Sequence, residues 1–165
     1  NAKILRDEDT ADASARAQLM WAGTIAHNGL LETGREMDWA SHTIGMEISA
    51  IYDTTHGATL SVITPEWAKY VYKSNIPRFA QFATRVFDVE ADLQYPERTA
   101  QEGIRRLEAF FEHIGVPTSM RGINIPTDER FEEMAKKATR NGPIGGIQKL
   151  DASDIVKIYR QALEK

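Results

Sequence analysis

The sequence predicts an all-α fold, a multi-helix bundle around one core, and three observations carry that prediction. Apolar residues recur at three- and four-residue intervals in segment after segment. Stretches with the two-residue alternation of a strand are scarce, and most helical segments are bracketed by capping or breaking residues. With 165 residues, 42% of them hydrophobic, the chain can bury a core without staples, because a domain of this size hides ~70% of the surface its unfolded chain exposes. No repeat period or low-complexity tract stands out, so residues 1–165 read as a single domain and not an array.

The first helix is expected from Thr10 to Glu32, where Ala11, Ala13, Ala15, Ala17, Ala22 and Ala26 recur with Leu19 and Leu30. The acids Asp7, Glu8, Asp9 and Asp12 gather where the helix dipole favours negative charge, and Gly34 supplies a stop. So many small side chains permit close neighbours on more than one side, so this helix reads as buried scaffold. Asp38 is the expected N-cap of a second helix with a core stripe at Ile44, Ile48, Ile51 and Tyr52, and Asp53-Thr54-Thr55 is its exit. His56 to Lys73 is helical in pattern, but Pro65 removes a donor and is expected to kink it or to start a new helix after Thr64. Ser61 to Thr64 is alternatively a short strand. Phe79, Phe82, Val86 and Phe87 mark the next helix, and Ile104, Leu107, Phe111 and Ile114 mark one that ends at Gly115-Val116-Pro117. Thr127 precedes a shorter helix with Phe131, Met134 and Ala138, and Asp151 precedes the last, with Ile155, Ile158 and Ala162. Seven or eight helices result. The irregular stretches Gly115 to Thr127 and Arg140 to Ile147 are turns and not domain linkers.

Composition narrows the chemistry. Without cysteine, disulfides, thiolate zinc sites, iron–sulfur clusters and cysteine nucleophiles are excluded, and any metal must be held by His, Asp or Glu. A formal charge of −4 argues against a nucleic-acid partner, which needs clustered Lys and Arg. No apolar run approaches the ~20 residues that cross a bilayer, and the start lacks a signal-peptide layout, so no membrane association and a cytoplasmic location are the default expectation. Asn1-Ala2 reads as a tag remnant ahead of Lys3.

Of His27, His42, His56 and His113, the pair His42 and His56 brackets one element. On a regular helix His42, Met46, Ser49 and Asp53 share a polar face distinct from the Ile44/Ile48/Ile51 stripe. Fourteen helical residues would separate the two rings by up to ~21 Å, so spacing alone does not bring them together. Two imidazoles, which suit iron(II) or zinc, also make an incomplete site, since a catalytic metal usually takes three protein ligands and an open position. Asp38 and Asp53 are possible oxygen donors, with Asp38 better explained as a cap. His27 and His113 read as helix residues without a site, Glu47 as a general base only if a pocket forms beside it, and Trp21, Trp39 and Trp67 as packing. Gly142 to Gly146 lacks the spacing of a dinucleotide or phosphate loop, and no serine-hydrolase elbow or zincin motif occurs.

The segment Asp38 to Trp67, with His42, Asp53-Thr54-Thr55-His56-Gly57 and Pro65, resembles the metal-binding segment of the iron-containing alcohol dehydrogenases, the butanol dehydrogenase subgroup in particular. The resemblance extends to Arg16–Leu30, Phe110–Thr118 and Met134–Gly146. It implies a helical C-terminal domain of the kind also seen in dehydroquinate synthase. This would be one domain of a longer two-domain enzyme, whose N-terminal NAD(P)-binding domain lies outside the chain. It implies metal ligation, by iron(II) or substitute zinc, through His42 and His56 as neutral imidazoles. The family's other ligands, an Asp and a His separated by three residues, would precede residue 1. Many relatives carry a further His four residues after the position of His42; Met46 stands there and cannot relay a proton, but it can line an apolar substrate pocket. The implied reaction of the intact enzyme is hydride transfer between NAD(P)H and a small aldehyde or alcohol, with a homodimer a common state. The fragment alone is then expected to be inactive and to hold metal weakly or not at all. The rival readings are a polyol dehydrogenase or dehydroquinate synthase-like domain, and a non-enzymatic helical assembly module.

Overall fold

A computed structural model describes residues 1–7 and 12–165. The start of the first expected helix, with Glu8, Asp9, Thr10 and Ala11, lies outside the described residues. The chain divides into two compact units, Asn1–Met37 and Asp38–Lys165.

The first unit holds α1 (Ala2–Asp7) and α2 (Ala13–His27). Asp12 caps α2, its Oδ1 accepting from the Ala15 N–H at 2.9 Å. The helix ends at Asn28 because Gly29 turns left-handed at φ 82°. The stop therefore comes five residues before Gly34, and Leu30–Glu32 forms a separate 3-10 turn. The expectation of a buried scaffold is corrected: Ala15 is the one buried residue of α2, while Met20 and Trp21 are 68% and 63% exposed. Alanine spacing reports a helix built for close neighbours, but within this unit six-residue α1 and one 3-10 turn are too short to cover it.

In the second unit α3 (Ala40–Tyr52), α4 (His56–Val71), α5 (Ile76–Phe87), α6 (Pro96–His113), α7 (Phe131–Ala138) and α8 (Ala152–Glu164) surround a core of Ile44, Ile48, Val62, Ile63, Met134 and Ile158, all fully buried. No strand occurs among the described residues; Ile144 and Leu150 make one isolated antiparallel bridge. The all-α prediction therefore holds, and Ser61–Thr64 is helical. Pro65 neither ends α4 nor restarts it, since the helix runs from His56 through Val71. Its lost backbone bond is tolerated because α4 is the central helix, packed on α3, α6 and α8, with Val62, Ile63, Glu66 and Ala68 around the proline buried.

Two contacts fix the surrounding helices to one another. The buried Tyr159 hydroxyl of α8 donates to the Ile44 carbonyl of α3 at 2.9 Å, and burial, reinforced by the charge of Glu47, raises its pKa further above the phenol range. Between α5 and α6, a Cβ on Gly103 would stand 2.4 Å from Ala83 Cβ and 2.8 Å from Ala83 Cα, so glycine sets how closely those helices approach.

Candidate metal centre

The site is assembled at the start of α3 and the start of α4. Asp38 anchors the first. Its Oδ1 accepts from the Ala40 N–H at 2.9 Å, while Oδ2 accepts from the Gly146 and Ile147 N–H groups at 2.9 and 2.8 Å. The N-cap position itself falls to Trp39, one residue later than expected, yet this one carboxylate still accepts from the first N–H of α3 and ties the helix to the loop before α8. That loop needs Gly145, at φ 105°, where a Cβ would meet the Gln148 carbonyl oxygen at 2.2 Å. At the far end Asp53 adopts φ 52° and its N–H closes on the Ser49 carbonyl at 3.0 Å, which ends α3. Thr54 and Thr55 then return the chain, so His56 opens α4 beside the first turns of α3 and not beyond its last.

The return brings the two imidazoles together. His42 Nε2 and His56 Nε2 are 3.2 Å apart, with ring centroids at 4.5 Å and planes at 77°. The ~21 Å separation of an uninterrupted helix is removed by the Asp53–Thr55 return. Both rings are half-buried. Trp39 stands edge-on to His42 with centroids 5.1 Å apart. Behind His56, the fully buried Thr59 donates its hydroxyl to the His56 carbonyl at 2.8 Å, and the same Oγ1 lies 3.3 Å from His56 Nδ1.

Two imidazole nitrogens held ~2.0–2.1 Å from one tetrahedral ion stand ~3.3 Å apart, so this nitrogen pair fits a shared divalent ion. The set is incomplete: no group of three His, Asp or Glu placed to hold a metal occurs among the described residues. Asp38 is occupied by three backbone donors, and Asp53 serves as an exposed helix terminus. Glu47, with its side chain only 13% exposed, lies 3.7 Å from Arg140, just beyond α7, and pairs there. Met46, one turn beyond His42, is 52% exposed.

The remaining sequence candidates stand elsewhere. His27 ends α2, in the other unit, and His113 ends α6, exposed. Trp67 packs near Phe79 with its buried Nε1 lacking a hydrogen-bond partner, whereas Trp21 and Trp39 are exposed and are not core. Sequence reasoning passed over Thr59 and Gly45. The available signal was a glycine inside a helix, which costs about 1 kcal/mol against alanine and so asks for a packing reason.

An all-helical domain that turns two imidazoles toward one point is the class these features define. A family model described as "Fe-containing alcohol dehydrogenase family, C-terminal" matches residues 3–163, and the chain belongs to that family. It is 35% identical over 158 residues to NADH-dependent butanol dehydrogenase A of Clostridium acetobutylicum, covering 94% of this chain and 40% of that protein. The crystal structure of NADH-dependent butanol dehydrogenase A from Thermotoga maritima superposes with a TM-score of 0.83 at 32% identity, over 92% of this chain and 39% of the other. The aldehyde reductase YqhD of Escherichia coli gives 0.85 at 26%, over 98% and 42%. The chain therefore spans about two fifths of the length of the curated relatives it matches. No helix among the described residues is long and apolar enough to cross a membrane.

Proposed function

We propose that this chain is the helical half of a metal-dependent, NAD(P)H-linked alcohol dehydrogenase or aldehyde reductase of the butanol dehydrogenase type, and that His42 and His56 supply two of its metal ligands. The observation that carries the reading is the 3.2 Å approach of the two Nε2 atoms. Family membership supports iron(II) as the metal, and the chemistry of the donors also suits zinc. A nucleotide-binding half and the remaining ligands, an Asp and a His separated by three residues, belong in this reading to sequence outside the chain.

When bound, the metal acts as a Lewis acid on the oxygen of the aldehyde or alcohol. The chain's own residues do the rest of the work on this side of the site. His42 and His56 bind as neutral imidazoles through Nε2, so acid competes with metal for them. Asp38 fixes the first turn of α3 and Trp39 buttresses the His42 ring, which limits the positions its Nε2 can take. Met46, exposed on the His42 face, lines the apolar part of the pocket for an alkyl chain. It has no proton to give, so a proton for the substrate oxygen would have to come from solvent or from groups outside the chain.

Metal analysis of the intact protein tests this. His42→Ala and His56→Ala are each expected to lose bound metal together with NAD(P)H-dependent reduction of straight-chain aldehydes; stoichiometric metal in either variant overturns the assignment. The 165-residue chain by itself is expected to be inactive and to shed metal on dialysis. Activity of the intact protein on glycerol or the dehydroquinate synthase substrate, and not on straight-chain aldehydes, would replace the substrate class.

A further inference from the structure

We infer that Thr59 is a positioning residue for the metal centre, holding His56 in the tautomer that presents a bare Nε2; the inference rests on the metal-binding reading above. A hydroxyl has one hydrogen to donate. Thr59 lies 2.8 Å from the His56 carbonyl, which can only accept, so the hydroxyl hydrogen is committed there. At its 3.3 Å contact with His56 Nδ1, Oγ1 can therefore act only as acceptor. The ring hydrogen then resides on Nδ1, and Nε2 keeps its lone pair toward the point it shares with His42. Across the 3.2 Å gap His42 Nε2–H becomes the donor in the metal-free state. The two histidines are thus unequal: His56 is set for ligation before metal arrives, and His42 has to release or relocate a hydrogen.

Donation from Thr to a carbonyl one turn back is common in helices and by itself implies nothing further. A second observation separates this case. Gly45 of α3 faces the same hydroxyl, and a Cβ there would lie 3.0 Å from Thr59 Oγ1 and 3.4 Å from Leu60 Cδ2. The contacts His42–His56 and Gly45–Thr59 share one offset of fourteen residues. The same α3–α4 packing therefore seats the hydroxyl and joins the rings, and glycine three residues after the first ligand keeps that seat open.

The test uses the intact protein labelled with 15N-histidine and freed of metal, read by one- and two-bond 15N–1H correlation, together with zinc(II) affinity measured against a chromogenic chelator. His56 is expected to show hydrogen on Nδ1 and a bare Nε2. Thr59→Val should mix the tautomers and weaken zinc binding about 10-fold, within the range for lost outer-shell partners. Thr59→Ser should restore both, and Gly45→Ala should weaken binding to a lesser degree. A parent spectrum with hydrogen on His56 Nε2, or a folded Thr59→Val variant that binds zinc as tightly as the parent, overturns the role of Thr59; if that variant does not fold, the parent spectrum decides. His56→Ala run in parallel separates the two levels. Loss of zinc there with normal binding in Thr59→Val removes only the positioning role, whereas undiminished zinc in His56→Ala removes the metal centre itself.

Discussion

The α3–α4 and α5–α6 pairs each place a glycine of one helix against a side chain of the other, yet the two glycines do different work. Gly103 faces Ala83, a residue with no chemistry beyond its volume, and the approach is so close that even the Ala83 Cα would be met at 2.8 Å. Gly45 faces a hydroxyl that in turn touches a histidine ring. In the first pair the missing Cβ serves packing alone. In the second it makes room for a polar atom whose position matters to a neighbouring nitrogen. A glycine at a helix contact is therefore informative about function only through what it admits.

Substitutions can break or sharpen this contrast. The largest effect on stability is expected from Gly103→Ala, which should cost about 3 kcal/mol through overpacking, measured by urea unfolding, with zinc affinity per folded molecule unchanged. A matching loss of affinity would mean that the α5–α6 contact also reaches the metal centre. Asp38→Ala comes next, expected at about 2 kcal/mol because three backbone N–H groups lose their acceptor. Unlike Gly103→Ala it should also loosen zinc binding, since it frees the first turn of α3 that carries His42.

The smallest effect is expected at Glu108, on the same helix as Gly103 but paired with Lys69 and Lys165. Burial pushes its carboxyl upward, but hydrogen bonds from Lys165 and Lys69 outweigh that and hold it below the usual carboxylate range. A lowered folded pKa gives stability that is present above the unfolded value of ~4.3 and is lost as pH falls through the folded value. Glu108→Gln should therefore lower stability at neutral pH by under about 1 kcal/mol after solvent screening and flatten the acid limb of the stability profile. A profile identical to the parent's would show that the Lys69–Glu108–Lys165 cluster is only a surface arrangement.

Much of the second unit was legible in the sequence because local rules decided it. The stripe Ile44, Ile48, Ile51 is a helix period, and Asp38, Asp151 and Asp53 stand at helix ends for reasons a short window contains. At Pro65 the restart alternative failed because tolerance of a lost backbone bond depends on burial by α3, α6 and α8, which no local window records. The α2 alanines were misread for the converse reason: small residues state what a helix can accommodate, not whether a neighbour is within reach. At the site, the residue types were visible and the convergence was not. Helical rise sets the His42–His56 distance only while the helix continues, and the left-handed Asp53 with its two threonines cancels it.

That return also sets how much chain each long-range contact has to close. The imidazole pair joins residues fourteen apart, whereas the Tyr159–Ile44 bond that locks α8 onto α3 spans 115. Short loops close quickly and with little loss of chain entropy. Closing the imidazole pair therefore costs less chain entropy than closing the Tyr159–Ile44 bond, so the proposed ligand pair leans on the rest of the bundle less than the α3–α8 lock does.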